Sequence, residues 1–350
     1  MGSLLIILIA SLLSVLTLLS PTTGDPGGPG CNSCHPDDYN ALLRIKKGLN
    51  NPYIIISWEE NGNCKDWCCI ECDDATHRVT SLAIFGDTFK QPVHIPDAIG
   101  GLPYLTSLTL RKLPNLTGPI PPSITNLKKL TFLRLDYNSL TGPVPAFLSQ
   151  LRNLNYLRLS NNKLSGSIPE TLSTLPITGL FLDRNNLSGP IPNLFKGLNL
   201  TDLYIDMSRN QLSGGIPAGF GELDITSLTL GRNRLTGDAS VLFGEKKGAY
   251  VIDISRNLLE FDFSTVRISK QLTNLDISHN RIYGSLPKEL SKVYWQSFNV
   301  SYNRLCGEIP SGGTGRLQDP DRVGASAFVH NKCLCGPPLP NNCTRAAIGN

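Results

Sequence analysis

From Leu130 the chain settles into a rhythm. Apolar Leu130, Leu133 and Leu135 enclose polar Thr131 and Arg134; Asn138, Leu140, Gly142 and the pair Val144-Pro145 follow. Nearly the same text returns as LNYLRLSNNKLSGSIP from Leu154 to Pro169. The asparagine recurs at Asn138, Asn162, Asn185, Asn210, Asn233, Asn257, Asn280 and Asn303, at intervals of 24, 23, 25, 23, 24, 23 and 23 residues. An earlier copy places Asn115 in the same role with two extra residues before it, and a degenerate first copy begins near Val79. Alternation with period two predicts a short strand in each copy, with Leu133 and Leu135 inward and Arg134 outward. Gly142 and Gly166 permit the backbone angles of a tight turn, and Pro145 and Pro169 hold the chain extended where no ladder bond is donated.

One such unit cannot bury its apolar edge alone, so neighbours must supply the missing wall. The period and the pattern L-x-x-L-x-L-x-x-N-x-L-x-G-x-I-P fit a leucine-rich-repeat template. The fold class expected is an α/β-type repeat solenoid: a right-handed superhelix of about ten coils with a parallel concave β-sheet. Ten strands spaced about 4.8 Å apart give a sheet about 45 Å long. Each asparagine is expected to turn inward and bond backbone groups of adjacent coils, forming an internal polar ladder.

The rhythm fails at both ends. Residues 1–20 are apolar and uncharged and are followed by PTTGDPGGPG, which reads as a secretory signal over about residues 1–24, cut between Ser20 and Gly30. Residues 25–78 form an N-terminal cap. There Tyr39, Leu42, Leu43, Ile45 and Leu49 have mainly helical spacing, and a helix followed by an edge strand would cover the first coil. Repeats occupy 79–310, and 311–350 is a C-terminal cap. Ten cysteines cluster in these caps and none lies between Cys72 and Cys306, as expected for covalent closure in an oxidising compartment. The Cys31/Cys34 and Cys69/Cys72 spacings also admit zinc. Sequons at Asn115, Asn186, Asn199, Asn299 and Asn342 suit the secretory route. A net charge of +4 does not choose between nucleic acid and an acidic polysaccharide, but secretion argues against nucleic acid.

The stretches CHPDDYNALLRIKKGLNNP, LTGPIP, GDASVLFG, SRNLLEFDFS, NRIYGSLP, NVSYNRLCGEIP and NKCLCGPPLP resemble plant polygalacturonase-inhibiting proteins over nearly the whole chain after the leader. The resemblance implies an extracellular, wall-associated protein that blocks fungal, and in some members insect, polygalacturonases. It also implies the pairs Cys34–Cys64, Cys306–Cys333 and Cys335–Cys343. Where the family reads Cys-Cys, this chain has Cys64-Lys65, with Cys68-Cys69 downstream and an extra Cys31. Cys69 and Cys72 are counted among the bonded cysteines, while the pairing among Cys31, Cys68, Cys69 and Cys72 stays open.

Function can vary on outward strand positions without disturbing the core. The residue before each motif asparagine runs Tyr137, Asn161, Arg184, Arg209, Arg232, Arg256, His279 and Tyr302. Arginines at 184, 209, 232 and 256, one per coil, match carboxylates along polygalacturonate, and basic ladders at such positions are implicated in pectin binding in the family. The competing reading is a solvated face paired with Asp183, Asp206, Asp253 and Asp276. A second column runs Thr109, Arg134, Arg158, Phe181, Asp206, Thr229, Asp253, Asp276 and Asn299, from basic to acidic. With Phe181, Tyr156 and Tyr204 as anchors, and with Asp183 and His279 beside it, it is the candidate protein-binding surface; alternatively the aromatics only shield leucines. Histidines at 35, 77, 94, 279 and 330 lie in unrelated places, so neither a catalytic set nor a cofactor is expected. The expected state is a monomer with no membrane span after leader removal. An ice-binding protein and a secreted signalling leucine-rich-repeat protein are the alternative functions.

Overall fold

Side-chain alternation decides which way each copy faces, and stacking does the rest. In the computed structural model, which describes residues 31–86, 89–193, 201–313, 317 and 323–343, eleven strands stand side by side in one sheet. They are β1 (Ile70–Cys72), β2 (Val79–Phe85), β3 (Ser107–Arg111), β4 (Phe132–Arg134), β5 (Tyr156–Arg158), β6 (Gly179–Phe181), β7 (Leu203–Asp206), β8 (Ile225–Thr229), β9 (Val251–Asp253), β10 (Asn274–Asp276) and β11 (Ser297–Asn299). β1 is antiparallel to β2, and every later pair is parallel. The chain is thus a leucine-rich-repeat solenoid. The expected leader lies outside the described residues.

Leu133, Leu157, Leu180, Ile205, Leu228, Ile252, Leu275 and Phe298 are in register and buried. Each side chain packs on the coil before and after it, and such burial contributes about 1.5–3 kcal/mol per residue. On the opposite side the coils return through short 3₁₀ turns, such as Pro122–Asn126, Ala146–Gln150, Glu170–Thr174 and Lys288–Lys292. The motif proline precedes each turn in an extended conformation at Pro121, Pro145 and Pro169. Its missing N–H costs nothing there, because the first groups of a turn have no internal partner. Gly142 has φ +82°, a conformation that a side chain would strain.

The asparagine ladder forms as expected. Asn185 is representative: its Oδ1 accepts from Leu164 N at 3.0 Å, while Nδ2 donates to Leu159 O and Leu182 O, both at 3.0 Å. Equivalent bonds occur from Asn138 to Asn303. Two positions depart from the sequence reading. Asn115 is not a rung: the two-residue insertion puts buried Leu113 at that level, where its N–H donates to Asn138 Oδ1, and Asn115 Nδ2 donates instead to Phe89 O. Conversely, Asn331 is an additional rung, accepting from Leu305 N and donating to Val300 O and Phe328 O.

At the N-terminus, α1 (Pro36–Gly48) packs Ala41, Leu42 and Ile45 inward. Its Asp38 is fully buried, and takes Arg78 through Nη2 at 2.6 Å and Nε at 3.0 Å, plus Val79 N at 2.8 Å. That cluster ties the cap to β2 and leaves no buried charge unpaired. The edge strand forms at Ile70–Cys72 rather than in the apolar Tyr53–Ile55, which makes a 3₁₀ turn. Disulfides join Cys34–Cys64, Cys306–Cys333 and Cys335–Cys343 as the resemblance implied, and Cys31 pairs with Cys72. Cys69 therefore corrects the sequence reading: Cys31 reaches Cys72 at a Cα separation of 5.0 Å, leaving Cys68 and Cys69 as free neighbouring thiols. Disulfide bonding occupies Cys31, Cys34 and Cys72, displacing the zinc reading. No helix among the described residues is long and apolar enough to cross a membrane.

Candidate functional site

Outward strand residues line the concave face in columns set by register. Thr109, Arg134, Arg158, Phe181, Asp206, Thr229, Asp253, Asp276 and Asn299 form one unbroken column across β3–β11. The parallel column beside it contains Phe132, Tyr156, Gly179 and Tyr204. All but buried Gly179 are half-buried.

In the N-terminal half, charge gathers round a residue that sequence reading passed over. Asp136 is fully buried. Arg134 Nε reaches its Oδ1 at 2.8 Å, and Arg111 Nε and Arg158 Nε approach Oδ2 at 3.2 and 3.5 Å. Arg158 lies over Phe181, with 4.9 Å to the ring centroid, and Arg111 lies over Tyr137 at 5.6 Å. Phe132, Tyr156 and Phe181 form a ring row with centroid spacings of 4.4 and 5.3 Å. Tyr204 stands beyond Gly179, outside those ring contacts.

The C-terminal half is acidic, and a short local motif orients its carboxylates. Asp206, Asp253 and Asp276 each accept the N–H of the serine two residues on, Ser208, Ser255 and Ser278, at 2.9 Å. Asn299 does the same with Ser301 at 3.1 Å. The Asp-x-Ser spacing was the sequence signal for this, since such side chains bond their own backbone two residues on. Asp183 hydrogen-bonds Ser160 Oγ. Burial, then the neighbouring Asp206 charge, pushes its carboxyl up to about 6. Burial, then Asp276, likewise pushes Asp253 up to about 6.

The rim column has one backbone conformation throughout. Arg184, Arg209, Arg232, Arg256, His279 and Tyr302 have φ between +54° and +61°, as do Lys112 at +53° and His330 at +60°. Such angles are uncommon for side-chain-bearing residues; here they swing the next residue inward, and the asparagine bonds offset the strain. Arg184 lies 3.9 Å from Asp183. Among the described residues no carboxylate lies within 4.0 Å of Arg209, Arg232 or Arg256, so the expectation of a generally paired face fails for three of four. Burial, followed by repulsion from Arg184 and Arg232, lowers the Arg209 guanidinium from its ordinary value. His279, Tyr302 and His330 continue the column as a ring stack with 4.1 Å spacings. His330 and Asn331 together were a legible eleventh copy of the pattern.

Sequence comparison agrees with this architecture. Residues 35–73 match the Leucine rich repeat N-terminal domain, and 129–151, 153–175, 199–223 and 271–293 match the Leucine Rich Repeat. Concave columns on a capped leucine-rich-repeat solenoid define a binding scaffold. The chain is 54% identical over 315 residues to polygalacturonase inhibitor 2 of Arabidopsis thaliana, covering 88% of this chain and 92% of that protein. It is 51% identical over 311 residues to the polygalacturonase inhibitor of Pyrus communis, covering 88% and 92%. Among solved structures it resembles the crystal structure of a plant ice-binding protein, with TM-score 0.84, 48% identity, and coverage of 89% of this chain and 99% of that one. The chain belongs to the polygalacturonase inhibitor family.

Proposed function

We propose that this protein inhibits polygalacturonases by laying its concave face over the mouth of the enzyme's cleft, so that substrate is excluded sterically. The observation that carries this is relatedness to inhibitors over 88% of this chain and 92% of theirs, together with a hollow lined by outward charges of both signs flanking aromatic side chains. Charge complementarity adds speed and selectivity to such docking, while partly buried aromatics supply most of the affinity. Four disulfides in the caps support an extracellular setting, the plant cell wall, with fungal enzymes as targets. The protein acts as a monomeric binding protein rather than as an enzyme. Arg184, Arg209, Arg232 and Arg256 form a row suited to the carboxylates of pectin, since three of them have no carboxylate partner among the described residues. Release of reducing ends by a panel of fungal polygalacturonases, measured with increasing protein, tests the proposal. Inhibition of at least one enzyme, weakened more by Phe181→Ala than by Thr109→Ala, is expected; no inhibition across the panel refutes it.

One observation favours a second reading. Thr117, Thr141, Ser165, Ser188, Ser213 and Thr236 place a hydroxyl at the same coil position in six successive repeats, in or next to a second set of short strands such as Leu116–Gly118, Asn186–Pro190 and Gln211–Gly214. The solved relative described as ice-binding makes a thermal-hysteresis assay the discriminating experiment. The row stops at Glu260, Tyr283 and Cys306, which limits the regular area.

A further inference from the structure

Three guanidinium groups converge on one carboxylate in the N-terminal half of the hollow, and the sum is not neutral. Asp136 offers two oxygens. Oδ1 is taken by Arg134 Nε, and Oδ2 lies within 3.5 Å of Arg111, Arg134 and Arg158. Asp183 also acts on Arg158 from the next coil, so three positive charges face two carboxylates and leave a surplus of one. Arg158 Nε is buried yet makes no hydrogen bond, because its nearest carboxylate oxygen stands at 3.5 Å. Arg111 spends only Nε on Asp136, so donors remain for another acceptor. A guanidinium fork matches a second carboxylate well.

Beside this cluster runs the Phe132, Tyr156 and Phe181 row, whose three rings are half-buried. The row exists because position 179 is glycine: a Cβ there would lie 2.7 Å from Tyr156 Cδ2 and 3.2 Å from Phe181 Cε2. Apolar ring surface next to unspent cationic donors suits a ligand that is flat and aliphatic on one side and carboxylated at its edge. A simple acidic peptide meets the charge but not the ring row. A neutral sugar meets the rings but not the charge.

We propose that β3–β6 form a subsite for a carboxylated sugar, a uronate oligosaccharide, whose carboxylate bonds the Arg111, Arg134 and Arg158 cluster while a pyranose face rests on Phe132, Tyr156 and Phe181. The subsite lies on the N-terminal coils of the hollow and uses none of the rim arginines, of which only Arg184 stands on the coil of its last strand, β6. It deepens the inhibitory reading, on which it rests for its choice of sugar, by making the protein grip the enzyme's substrate as well as the enzyme. Its existence is measured without enzyme, so failure of one reading is distinguishable from failure of the other.

The experiment titrates the purified full chain with trigalacturonate by calorimetry at low salt, in an Arg209→Gln/Arg232→Gln background that weakens the rim column. Binding is expected to persist there, to fall at least tenfold on adding Arg134→Gln/Arg158→Gln, and to fall severalfold on adding Phe181→Ala. Arg158→Lys, which keeps the charge but loses the fork, should give an intermediate loss. Circular dichroism and thermal midpoints show that each variant is folded. Should Arg134→Gln/Arg158→Gln fail to fold, Arg158→Lys and Phe181→Ala carry the test. Unchanged affinity in the folded cluster variants overturns the proposal. So does equal binding of a neutral trigalactoside, or of a triglutamate peptide whose affinity ignores Phe181→Ala.

Discussion

Asn185→Ala tests the ladder that holds the concave columns in register. The substitution removes one acceptor and an amide with two donors from a buried site. The carbonyls lose little: Leu159 O still receives Asn162 Nδ2 at 3.0 Å, Leu182 O still receives Asn210 Nδ2 at 3.0 Å, and Asp183 O keeps Asn161 N at 2.9 Å. Leu164 N–H, however, loses the 3.0 Å bond to Asn185 Oδ1 that satisfies it. An orphaned buried donor costs about 1–3 kcal/mol, and the small void left by the amide adds to this, so a destabilisation of about 2–4 kcal/mol is expected. Asn185→Asp sharpens the test. The carboxylate keeps the bond to Leu164 N but faces Leu159 O and Leu182 O with no proton to offer. It should therefore be the less stable variant at pH 7, and recover as acid protonates it. Urea unfolding followed by far-ultraviolet circular dichroism supplies the numbers. Both variants falling within about 0.5 kcal/mol of the parent, inside the usual range of inert surface changes, would refute the reasoning.

Three further outcomes are expected. Because the folded Asp183 carboxyl is raised to about 6 while an unfolded aspartate titrates near 4, the folded state holds the extra proton between those values. Stability should therefore rise as pH falls from 6 to 4, Asp183 contributing at most about 3 kcal/mol and Asp253 adding in the same direction, and Asp183→Asn should reduce that slope in urea titrations without abolishing it; a parent slope of the opposite sign contradicts the assignment. Hydrogen bonding from the Cys69 thiol, against burial, brings Cys68 down to about 6, so iodoacetamide at pH 7 should label Cys68 before Cys69 in peptide mass spectra, and equal labelling counts against it. Asn186 and Asn342 are exposed, whereas Asn115 Nδ2 is bonded to Phe89 O; glycopeptide mapping should find glycans at the first two and leave Asn115 bare. Asn199 lies outside the described residues.

Much of the fold was legible because one constraint is repeated. A strand that must bury Leu133 against Leu157 and Leu157 against Leu180 fixes register, and the asparagine spacing fixes the coil length. Legibility ended where an insertion or a single long-range contact decides the outcome. Two added residues before Asn115 exchange a polar rung for Leu113, a shift that spacing alone does not assign. Asp38 meets Arg78 across 40 residues, and no local pattern announces that pair. On the hollow, the column from Thr109 to Asn299 followed directly from alternation. Arg111, however, closes β3 and Asp136 stands two residues past the end of β4, where alternation ceases to say which way a side chain turns, so the charge cluster emerged only from the coordinates. Cys69 was misjudged, and the partner of Cys31 left open, for a similar reason: Lys65 stands where the family carries a cysteine, and proximity in space gave Cys72 to Cys31.

Hydroxyl-radical footprinting of the protein, alone and bound to a polygalacturonase that it inhibits, tests most directly whether the hollow is the binding surface. Oxidation of Phe132, Tyr156, Phe181 and Tyr204 should fall in the complex, while Tyr53, 80% exposed in the N-terminal cap, stays as reactive as before. Protection confined to Tyr53 and the outer coil surface, with the four hollow-lining rings unchanged, would contradict the account.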